Sequence, residues 1–597
     1  MRFKSFTSIG WGALISSTLH QRAIAQADYP ELPPSYLTTG NPVTPLPQGY
    51  PWGQKTANNT NPYQDPPITG VIRRYDFTIT RGRKAPDGYL KEMLLINGQF
   101  PAPLIEANWG DTIQVTVRNK ITTPREGVAL HWHGILQKAS QWMDGVPGVS
   151  QCPIPPGGTF TYSFLADLYG SSWYHSHYSA QYSAGLVGPL IIHGPDTVRY
   201  DIDKGPILLT DHYHTPYLKV VAQVVSQNIN QVAPLSDSNL INGKNNFNCS
   251  SKPANDTTPC RSNARLETFR FSPGKVHRLR LINAGAEGTQ KFSLDGHDMK
   301  VIANDFVPII PYDTKVVTLG IGQRTDVLVT GLKNYSGAYI MRSSIDAPCS
   351  LSLNPDATAI VYYKHDDLLK NRINGSTPWP EFLASKNVCE NDPLNQTVPW
   401  FPMKPDPSPP TTETIDITFG QNSTGFWQWF MNGSSFRANF NQPILLLAKT
   451  GSTSFPTHPE WNVHNMGGNS SFRIIINNNG PPLPHPIHLH GHNMFVLASG
   501  PGTWDGKIVN PNNPQRRDVH ILPAGGHMVL QVTADNPGAW PLHCHIAWHV
   551  SAGLYVTVLE RPKDIQKLPI PAIMAQTCRD WTAFTNTTIV DQIDSGL

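Results

Sequence analysis

The nine residues GAWPLHCHI at 538–546 have two counterparts earlier in the chain. The middle counterpart is GAYIMRSSI at 337–345, and the first is SWYHSH at 172–177. The first and last copies continue alike, because SAGL at 183–186 and SAGL at 551–554 each begin six residues after the last histidine of the motif. This spacing indicates an internal repeat.

Two further segments recur in the same order. GHNMFVLA at 491–498 corresponds to GHDMKVIA at 296–303, and QRRDV at 515–519 corresponds to QRTDV at 323–327. Chance similarity between β-rich segments does not easily preserve the order of several matches. We therefore interpret the chain as one domain present in three copies.

Strand-like alternation fills the space between these segments. Runs such as TIQVTV at 112–117 and FRIII at 472–476, separated by turn residues, are typical of β-sandwiches. The sequence thus predicts an all-β chain of three consecutive β-sandwich domains. Their predicted bounds are 40–195, 196–366 and 367–560, followed by a C-terminal tail at 561–597.

The composition of the 597 residues agrees with many short strands and turns. Only 15% of the residues are charged, while 55 are proline and 47 are glycine. These values exclude a coiled coil, a helical bundle and a charged disordered chain. The net charge of +3 argues against a nucleic-acid or polybasic membrane partner, and no apolar run is long enough to predict a membrane span.

The N-terminus predicts secretion. Arg2 and Lys4 precede a moderately apolar stretch and two small-residue cleavage patterns, at 23–25 and 25–27, so we expect a signal peptide at 1–25. A disordered start is the alternative. Ten N-x-[ST] sequons suit a secreted glycoprotein. They begin at Asn58, Asn248, Asn255, Asn334, Asn374, Asn395, Asn422, Asn432, Asn469 and Asn586.

Four His-x-His pairs point to metal. Residues i and i+2 of a strand share a face, so each pair directs two imidazoles to one place. One pair alone is often a polar surface feature, but four pairs in the first and third copies form a strong signal. The pairs are His131/His133, His175/His177, His488/His490 and His543/His545.

The repeat alignment separates a second set of ligands. Cys544 corresponds to Ser176 and Ser343, and His549 corresponds to Gln181. In the second copy, Gln290 stands where the third copy has His485. Only the third copy therefore keeps His485, Cys544 and His549, the His₂Cys ligand type of a blue-copper site.

The remaining eight histidines suit copper that binds oxygen, and they suffice for three ions with open positions. Cys544 lies between His543 and His545 on one strand, so its side chain points away from theirs. The covalent path between the two centres is therefore very short. Leu554, ten residues after Cys544, cannot coordinate axially, which favours Cu(I) and a comparatively high potential.

These motifs resemble those of the multicopper oxidase family, laccase type, over essentially the whole mature chain. The motifs are HWHG at 131–134, WYHSH at 173–177, HPIHLHGH at 485–492 and HCHIAWH at 543–549. The resemblance implies three cupredoxin-like Greek-key domains and four coppers, one of type 1, one of type 2 and two of type 3, with no other cofactor. Leu554, Ala547 and the C-terminal DSGL at 594–597 are most similar to ascomycete laccases.

The resemblance also implies the ligand sets. His131 and His488 would hold the type 2 copper, and His485, Cys544 and His549 the type 1 copper. The type 3 coppers would be held by two sets of three histidines. The sets are His133, His175 and His545, and His177, His490 and His543.

Two carboxylates match family residues with proposed proton roles. Asp144 matches an acid near the type 2 copper, although an Asp before Gly145 fits a turn equally well. Asp237, before LING at 240–243, matches the acid that accepts a phenol proton near His549. A solvated loop acid is the alternative for Asp237.

Seven cysteines leave at least one outside any internal disulfide. Cys249 and Cys260 lie close together, so we expect a local bridge that replaces the N-terminal disulfide common in the subgroup. By resemblance, Cys152 pairs with Cys578 and Cys349 with Cys389. In the subgroup the C-terminal tail enters the channel to the trinuclear cluster, so the end of this chain is expected to be a plug.

The sequence thus predicts a secreted, monomeric laccase that oxidises phenols and aromatic amines and reduces O₂ to water. The alternatives are a ferroxidase, which Ala547 disfavours, an ascorbate oxidase, which Leu554 disfavours, and a copper protein without turnover. The natural phenol and the biological role, in lignin degradation, pigment synthesis or detoxification, stay open.

Overall fold

A computed structural model describes residues 51–370, 373, 376–588, 590 and 592–597. The predicted signal peptide at 1–25 lies outside the described residues. The strands of the described part form six sheets, two in each repeat. We call the three repeats domain 1 (strands β1–β8), domain 2 (β9–β19) and domain 3 (β20–β30).

Domain 1 pairs the sheet order β2-β1-β4-β6 with the order β3-β8-β7-β5. Its strands are β1 (Ile72–Lys84), β2 (Lys91–Ile96), β3 (Ile105–Asn108), β4 (Thr112–Asn119), β5 (Leu130–Trp132), β6 (Thr159–Leu165), β7 (Gly170–Ser176) and β8 (Val187–His193).

Domain 2 has the sheet orders β10-β9-β12-β17-β14-β15 and β11-β19-β18-β13-β16. Its strands are β9 (Ile202–His212), β10 (Ser238–Ile241), β11 (Glu267–Arg270), β12 (Val276–Asn283), β13 (Gln290–Leu294), β14 (Met299–Asn304), β15 (Val307–Thr314), β16 (Val317–Leu319), β17 (Arg324–Thr330), β18 (Tyr339–Ile345) and β19 (Asp356–Tyr362).

Domain 3 repeats the domain 2 topology as β21-β20-β23-β28-β25-β26 and β22-β30-β29-β24-β27. Its strands are β20 (Thr411–Gln421), β21 (Trp427–Met431), β22 (Val463–Gly467), β23 (Ser471–Asn478), β24 (His485–Leu489), β25 (Met494–Pro501), β26 (Gln515–Arg517), β27 (Val519–Leu522), β28 (Gly526–Thr533), β29 (Gly538–Cys544) and β30 (Tyr555–Glu560).

Short helices connect these strands, and a longer one follows domain 3. They are α1 (Tyr217–Val224), α2 (His365–Leu369), α3 (Pro380–Ser385), α4 (Ile444–Lys449), α5 (Ala547–Ser551), α6 (Pro562–Ile565) and α7 (Ala572–Thr585). The boundary predicted at 195/196 falls between β8 and β9, and the one at 366/367 falls within α2. The domain bounds stay predictions. No helix among the described residues is long and apolar enough to cross a membrane.

The three copies pair their motif strands in one register, which confirms the repeat alignment at the level of single residues. In each copy the strand that contains the GAWPLHCHI-type segment (β7, β18 or β29) pairs antiparallel with one neighbouring strand (β5, β13 or β24). The equivalent pairs are Leu130–Ser176, Phe292–Ser343 and Ile487–Cys544. Each domain is therefore a β-sandwich of two sheets, which confirms the predicted all-β, cupredoxin-like fold.

Burial distinguishes the outer strands from the motif strands. β4 alternates half-buried and buried residues, as expected for a strand with one face in a core. β7 and β29 are buried at every residue because a second domain covers their other face. The motif strands therefore lie between domains, where ligands from two copies can meet.

All three predicted disulfides are present, and Cys544 is a buried free thiol. The Cys152–Cys578 bridge ties domain 1 to α7, across 426 residues of sequence. The bridge holds the C-terminal segment against the body of the molecule.

Candidate metal centres

The strand alternation of β29 separates two sets of metal-binding side chains. Cys544 has its Sγ 3.5 Å from His549 Nδ1. The neighbouring His543 and His545 instead approach His490 and His133, with nitrogen–nitrogen distances of 3.1 and 3.3 Å. One strand therefore contributes to both sets, as the sequence predicts.

The Cys544 set draws on three elements of domain 3. His485 begins β24, Cys544 ends β29, and His549 lies in α5, which follows β29 directly. The two imidazoles meet with 3.2 Å between their Nδ1 atoms. Trp429 packs against both rings, with centroids at 4.8 Å from His485 and 4.6 Å from His549.

The protonation states of this set fit a bound cation. Burial lowers the pKa of His485 to about 3, and burial together with His485 lowers that of His549 far below its usual value. Burial raises the pKa of the Cys544 thiol. Two neutral imidazole nitrogens 3.2 Å apart, beside a thiol that only a metal would ionise, form a donor set of the copper type.

His549 differs from the other predicted ligands in exposure. It is half-buried, whereas Cys544, His485 and the eight histidines of the second set are buried. The only predicted ligand with an edge toward solvent is therefore a histidine of the Cys544 set.

The eight remaining histidines form one cluster between domains 1 and 3. Each domain supplies two His-x-His pairs, from the ends of β5 and β7 in domain 1 and of β24 and β29 in domain 3. Potential ligand atoms of several triplets lie within 4.8 Å of one another. These triplets include His131, His133 and His175, then His131, His488 and His490, and then His177, His490 and His543.

Two nitrogen pairs in this cluster are close enough to share a bound cation. His543 Nδ1 donates to the Cys544 carbonyl at 2.7 Å, and His490 Nδ1 donates to Asp144 Oδ2 at 2.9 Å. The Nε2 atoms of the same two rings therefore carry lone pairs, yet they face each other at 3.1 Å. Burial lowers the pKa of His543 to about 3, so a proton between them is disfavoured.

Other nitrogens of the cluster are buried without any hydrogen-bond partner among the described residues. His131 Nδ1 donates to the Asp144 carbonyl and His488 Nδ1 to the Asp518 carbonyl, each at 2.8 Å, which leaves both Nε2 atoms free. The Nε2 atoms of His175 and His177 are equally unpartnered. Because a buried polar atom without a partner is costly, these orphaned nitrogens fit metal ligands.

Asp144 lies in the cluster rather than in a solvated turn. Its carboxylate is fully buried, 2.9 Å from His490 Nδ1 and 3.2 Å from His131 Nδ1. Its Oδ1 atom has no hydrogen-bond partner among the described residues. The residue therefore contacts ligands from both domains.

Sequence reasoning missed a carboxylate at the opposite side of the cluster, Asp518. His133 Nε2 lies 3.1 Å from Asp518 Oδ1, which leaves Nδ1 of that ring for a metal. Arg324 of domain 2 binds Asp518 in a bidentate pair at 2.5 and 2.6 Å, with both side chains fully buried. The recurrence of QRTDV and QRRDV was the signal for these residues.

Domain 2 also touches the cluster through a glycine. Gly322 has φ +86°, and a Cβ atom there would come within 2.9 Å of the His545 ring and 3.1 Å of the His133 ring. A side chain at this position would displace two ligands. Domain 2, which has Gln290 and Ser343 at the positions of His485 and Cys544, thus closes the cluster of the other two domains.

Asp237 lies at the edge of domain 2, just before β10. Its Oδ2 accepts a hydrogen bond from the His214 backbone N–H at 2.7 Å, and its side chain is 25% exposed. Among the described residues, Asp237 makes no hydrogen bond to His549. The predicted contact with a phenol near His549 stays a prediction.

The C-terminal residues lie against the histidine cluster. Leu597 lines the same small cavity as His175, His177, His543 and His545. The Gly596 carbonyl accepts a hydrogen bond from the Ser179 N–H at 2.9 Å, and Ser179 Oγ donates to Asp594 at 2.6 Å. Residues 594–597 are buried in this position.

Comparison with known proteins agrees with this arrangement. Three sequence models described as multicopper oxidase match residues 78–197, 203–366 and 404–564. The chain therefore belongs to the multicopper oxidase family.

Relatives define the group within the family. Laccase-1 of Botryotinia fuckeliana is 38% identical over 558 residues, 92% of each chain, and the laccase of Cryphonectria parasitica is 38% identical over 89% of this chain and 90% of its own. The crystal structure of the laccase from Botrytis aclada superposes with a TM-score of 0.82 at 35% identity, covering 92% of this chain and 98% of that one. The chain is an oxidoreductase of the laccase type.

Proposed function

We propose that this enzyme oxidises phenols and aromatic amines by one electron at the Cys544 site and reduces O₂ at the histidine cluster. Bound copper would supply one-electron chemistry at the first site and four-electron reduction of O₂ to water at the second. The residues of the chain would bind these coppers, keep bulk water away from the histidine cluster and transfer protons to and from the substrates.

The half-buried edge of His549 carries this proposal. An outer substrate can reach that imidazole, while every other proposed ligand is buried. From the Cys544 sulfur, the covalent path to His543 and to His545 crosses only the backbone of adjacent residues. The strand therefore connects an accessible donor site to an enclosed acceptor site.

The ligand assignment is the one that the resemblance to multicopper oxidases implies, and the free nitrogens are compatible with it. We assign the type 1 copper to His485, Cys544 and His549, and the type 2 copper to His131 and His488. The two type 3 coppers take the remaining six histidines, as His133, His175 and His545 and as His177, His490 and His543. The unpartnered nitrogens and the close nitrogen pairs of these residues support the four-copper stoichiometry.

We assign Asp237 as acceptor of the phenol proton. Loss of an electron makes a phenol strongly acidic, so a nearby carboxylate assists the oxidation. Leu353 is 60% exposed and donates its backbone N–H to the Ser236 carbonyl at 2.8 Å, beside Asp237. Leu235 is also exposed, so an apolar surface adjoins the carboxylate. A phenol fits this surface, because its ring can contact the apolar side chains while its hydroxyl group faces the Asp237 carboxylate.

We assign Asp144 the delivery of protons for water formation, and the proximity of its carboxylate to His131 and His490 supports this role. The C-terminal residues 594–597 would narrow the channel to the cluster, since Leu597 lies in the same cavity as four of the histidines. We further propose that the protein is secreted, glycosylated and monomeric. Mass analysis of the secreted protein before and after glycosidase treatment tests the first two points.

The decisive experiment compares O₂ consumption by the copper-loaded enzyme with 2,6-dimethoxyphenol and with Fe(II). We expect rapid consumption with the phenol and little with Fe(II). A ferroxidase needs carboxylates around the half-buried His549 edge, and Ala547, two residues before His549, supplies none. Rapid turnover of iron with negligible phenol oxidation would contradict the laccase assignment. A protein without turnover would consume no O₂ with either donor.

A further inference from the structure

A further His-x-His pair lies in domain 2, apart from the proposed copper ligands. His212 ends β9 and His214 follows it, and their ring centroids are 5.7 Å apart. Asp87, in the segment between β1 and β2, approaches the pair from domain 1. One potential ligand atom from each of these three residues lies within 4.8 Å of the other two. Two imidazoles and one carboxylate therefore meet where two domains touch.

Backbone hydrogen bonds hold Asp87 in place against domain 2. The Phe247 N–H donates to the Asp87 carbonyl at 2.8 Å, and the Arg261 N–H donates to the Gly88 carbonyl at 3.0 Å. The Asp87 side chain is fully buried, and its Oδ1 accepts the Tyr89 backbone N–H at 3.1 Å. The carboxylate is therefore fixed by the fold, and its Oδ2 is directed to the histidines.

The His214 ring is fixed beside that oxygen. Its Nε2 lies 2.8 Å from Asp87 Oδ2. Tyr89 stacks on the imidazole with centroids 3.8 Å apart and planes 5° apart, and the Phe247 edge packs at 4.7 Å. Without a metal, Nε2–H donates to the carboxylate. With the hydrogen on Nδ1 instead, the same two atoms can bind one cation.

His212 is the residue that points to a cation. Its side chain is 2% exposed, and its Nε2 has no hydrogen-bond partner among the described residues. Burial, followed by the charge of Lys91, lowers the pKa of His212 far below its usual value, so the ring is neutral and offers a lone pair. The hydrogen bond between His214 and Asp87 accounts for two members of the cluster and leaves this nitrogen unexplained.

The charges around the three residues leave the site negative. Although burial opposes it, the hydrogen bond with His214 and the nearby imidazoles lower the pKa of Asp87, so its carboxylate is ionised. Asp237 Oδ1 lies 3.9 Å from His214 Nδ1. The one amine nearby is that of Lys91, which donates to the Tyr213 carbonyl and whose pKa burial lowers to about 8. Two carboxylates thus outnumber one ammonium group.

We propose that Asp87, His212 and His214 bind a zinc ion that ties domain 1 to domain 2. Imidazole nitrogens and a carboxylate oxygen are ligands that zinc takes in proteins, with water able to complete the tetrahedron. The hydrogen of the neutral His214 ring then resides on Nδ1, the nitrogen that faces Asp237. A ligating histidine commonly directs its other N–H toward a carboxylate in this way.

Equilibrium dialysis of the copper-loaded enzyme against Zn²⁺, followed by metal analysis, tests the proposal. Excess copper is removed first, because Cu²⁺ competes for such ligands. We expect the wild type to take up one zinc ion per chain and to keep its copper. Its Tm should rise with zinc concentration, because the three ligands come together only in the folded chain.

His212→Gln removes the free nitrogen. Zinc should bind this variant at least about tenfold more weakly, since the loss of even an indirect partner of a ligand lowers affinity by 10- to 100-fold. At zinc concentrations that saturate the wild type, its Tm should not rise. Copper content and thermal unfolding show that the variant is folded, and Asp87→Asn makes the same test if His212→Gln does not fold.

His297→Gln is the matched control. His297 is also a buried histidine of domain 2, but its Nδ1 donates to the Asp295 carbonyl at 2.8 Å and its Nε2 accepts from the Tyr363 hydroxyl at 2.6 Å. This variant should bind zinc as the wild type does.

Three results would overturn the inference. A wild type that takes up no zinc would leave the cluster as a hydrogen-bonded pair beside a neutral histidine. Equal zinc binding by the wild type and folded His212→Gln would place the ion elsewhere on the protein. An equal loss in His297→Gln would show a general effect of removing a buried histidine from domain 2.

Discussion

On the face of the motif strand pair that holds Cys544, domain 3 carries a set of candidate metal ligands, whereas domains 1 and 2 carry hydrogen-bonded polar side chains. Cys544, Ser176 and Ser343 occupy one register position in the three copies. The backbone is therefore alike at all three sites, and only the side chains decide what occupies the space between the sheets.

In domain 1 the side-chain amide of Gln181 occupies the position that His549 has in domain 3. Ser176 Oγ donates to Gln181 Oε1 at 2.8 Å, and Gln181 Nε2 donates to Glu126 at 2.9 Å and to the Gly127 carbonyl at 3.0 Å. Gln181 is the counterpart of His549. A ligand pair thus corresponds to a satisfied hydrogen-bond chain, as a buried site without metal requires.

Domain 2 makes two such replacements. Ser343 Oγ donates to Gln290 Oε1 at 2.7 Å, at the positions of Cys544 and His485. Asp295 pairs with Arg342 at 2.8 Å, at the positions of His490 and His543. The comparison shows that these positions of the cupredoxin-like fold accept either a set of metal-ligating side chains or a hydrogen-bonded polar set. The complete His₂Cys set belongs to the side chains of domain 3.

The largest expected effect comes from making domain 3 like the other two. Cys544→Ser replaces the thiolate with the residue of domains 1 and 2, so the blue absorption band should disappear and copper should fall by one ion per chain. Phenol oxidation should fall at least about a hundredfold, because the thiolate defines the blue-copper site. Absorbance, metal analysis and O₂ uptake measure these effects.

The histidine cluster provides the internal control for this variant. His543 and His545 keep their positions on β29, so the other three coppers should remain bound. Retention of the blue band, or loss of all copper, would show that Cys544 does not separate the two centres as we describe.

Much of this comparison was accessible from sequence, because the ligands repeat at fixed spacing on strands. The period-2 pattern of HCH at 543–545 predicts that Cys544 faces away from its neighbours, and the distances agree. The repeat register, the lack of the corresponding histidines and cysteine in domain 2 and the local Cys249–Cys260 bridge were equally predictable, whereas the other two disulfides were expected from the family resemblance.

Contacts between domains were not accessible in this way. The alignment equates Asp518 with Asp326, but in space Asp518 binds Arg324 and orients His133. A repeat tells which positions correspond and not which ones touch. For the same reason the sequence did not reveal that the His214 backbone N–H donates to Asp237, since that contact depends on how β9 and β10 pair.

A smaller effect is expected from the ion pair of domain 2. Asp295→Asn removes a fully buried carboxylate that binds Arg342 and Ser376, so stability should fall by about 1.5–3 kcal/mol, the range for hydrogen bonds to charged groups. Activity per folded molecule should not change, because these residues hold no metal. Thermal unfolding of the holoenzyme measures the loss.

A matched control lies in the same domain. Lys300 and Asp313 form an ion pair at 2.6 Å, with side chains 43% and 74% exposed. Asp313→Asn should change stability by less than about 1 kcal/mol, because solvent screens exposed pairs. Equal losses in the two variants would mean that burial does not distinguish these sites.

The smallest effect should follow from Ser343→Cys, which gives domain 2 the thiol of domain 3. We expect no new blue band, because Gln290 stands at the position of His485 and a thiol alone does not make a His₂Cys site. Loss of the hydrogen bond to Gln290 should cost about 1 kcal/mol, and phenol oxidation should stay at the wild-type rate. Copper analysis and absorbance check the result. A fifth copper bound by Ser343→Cys would contradict the conclusion that all three ligands, rather than the fold, define the site.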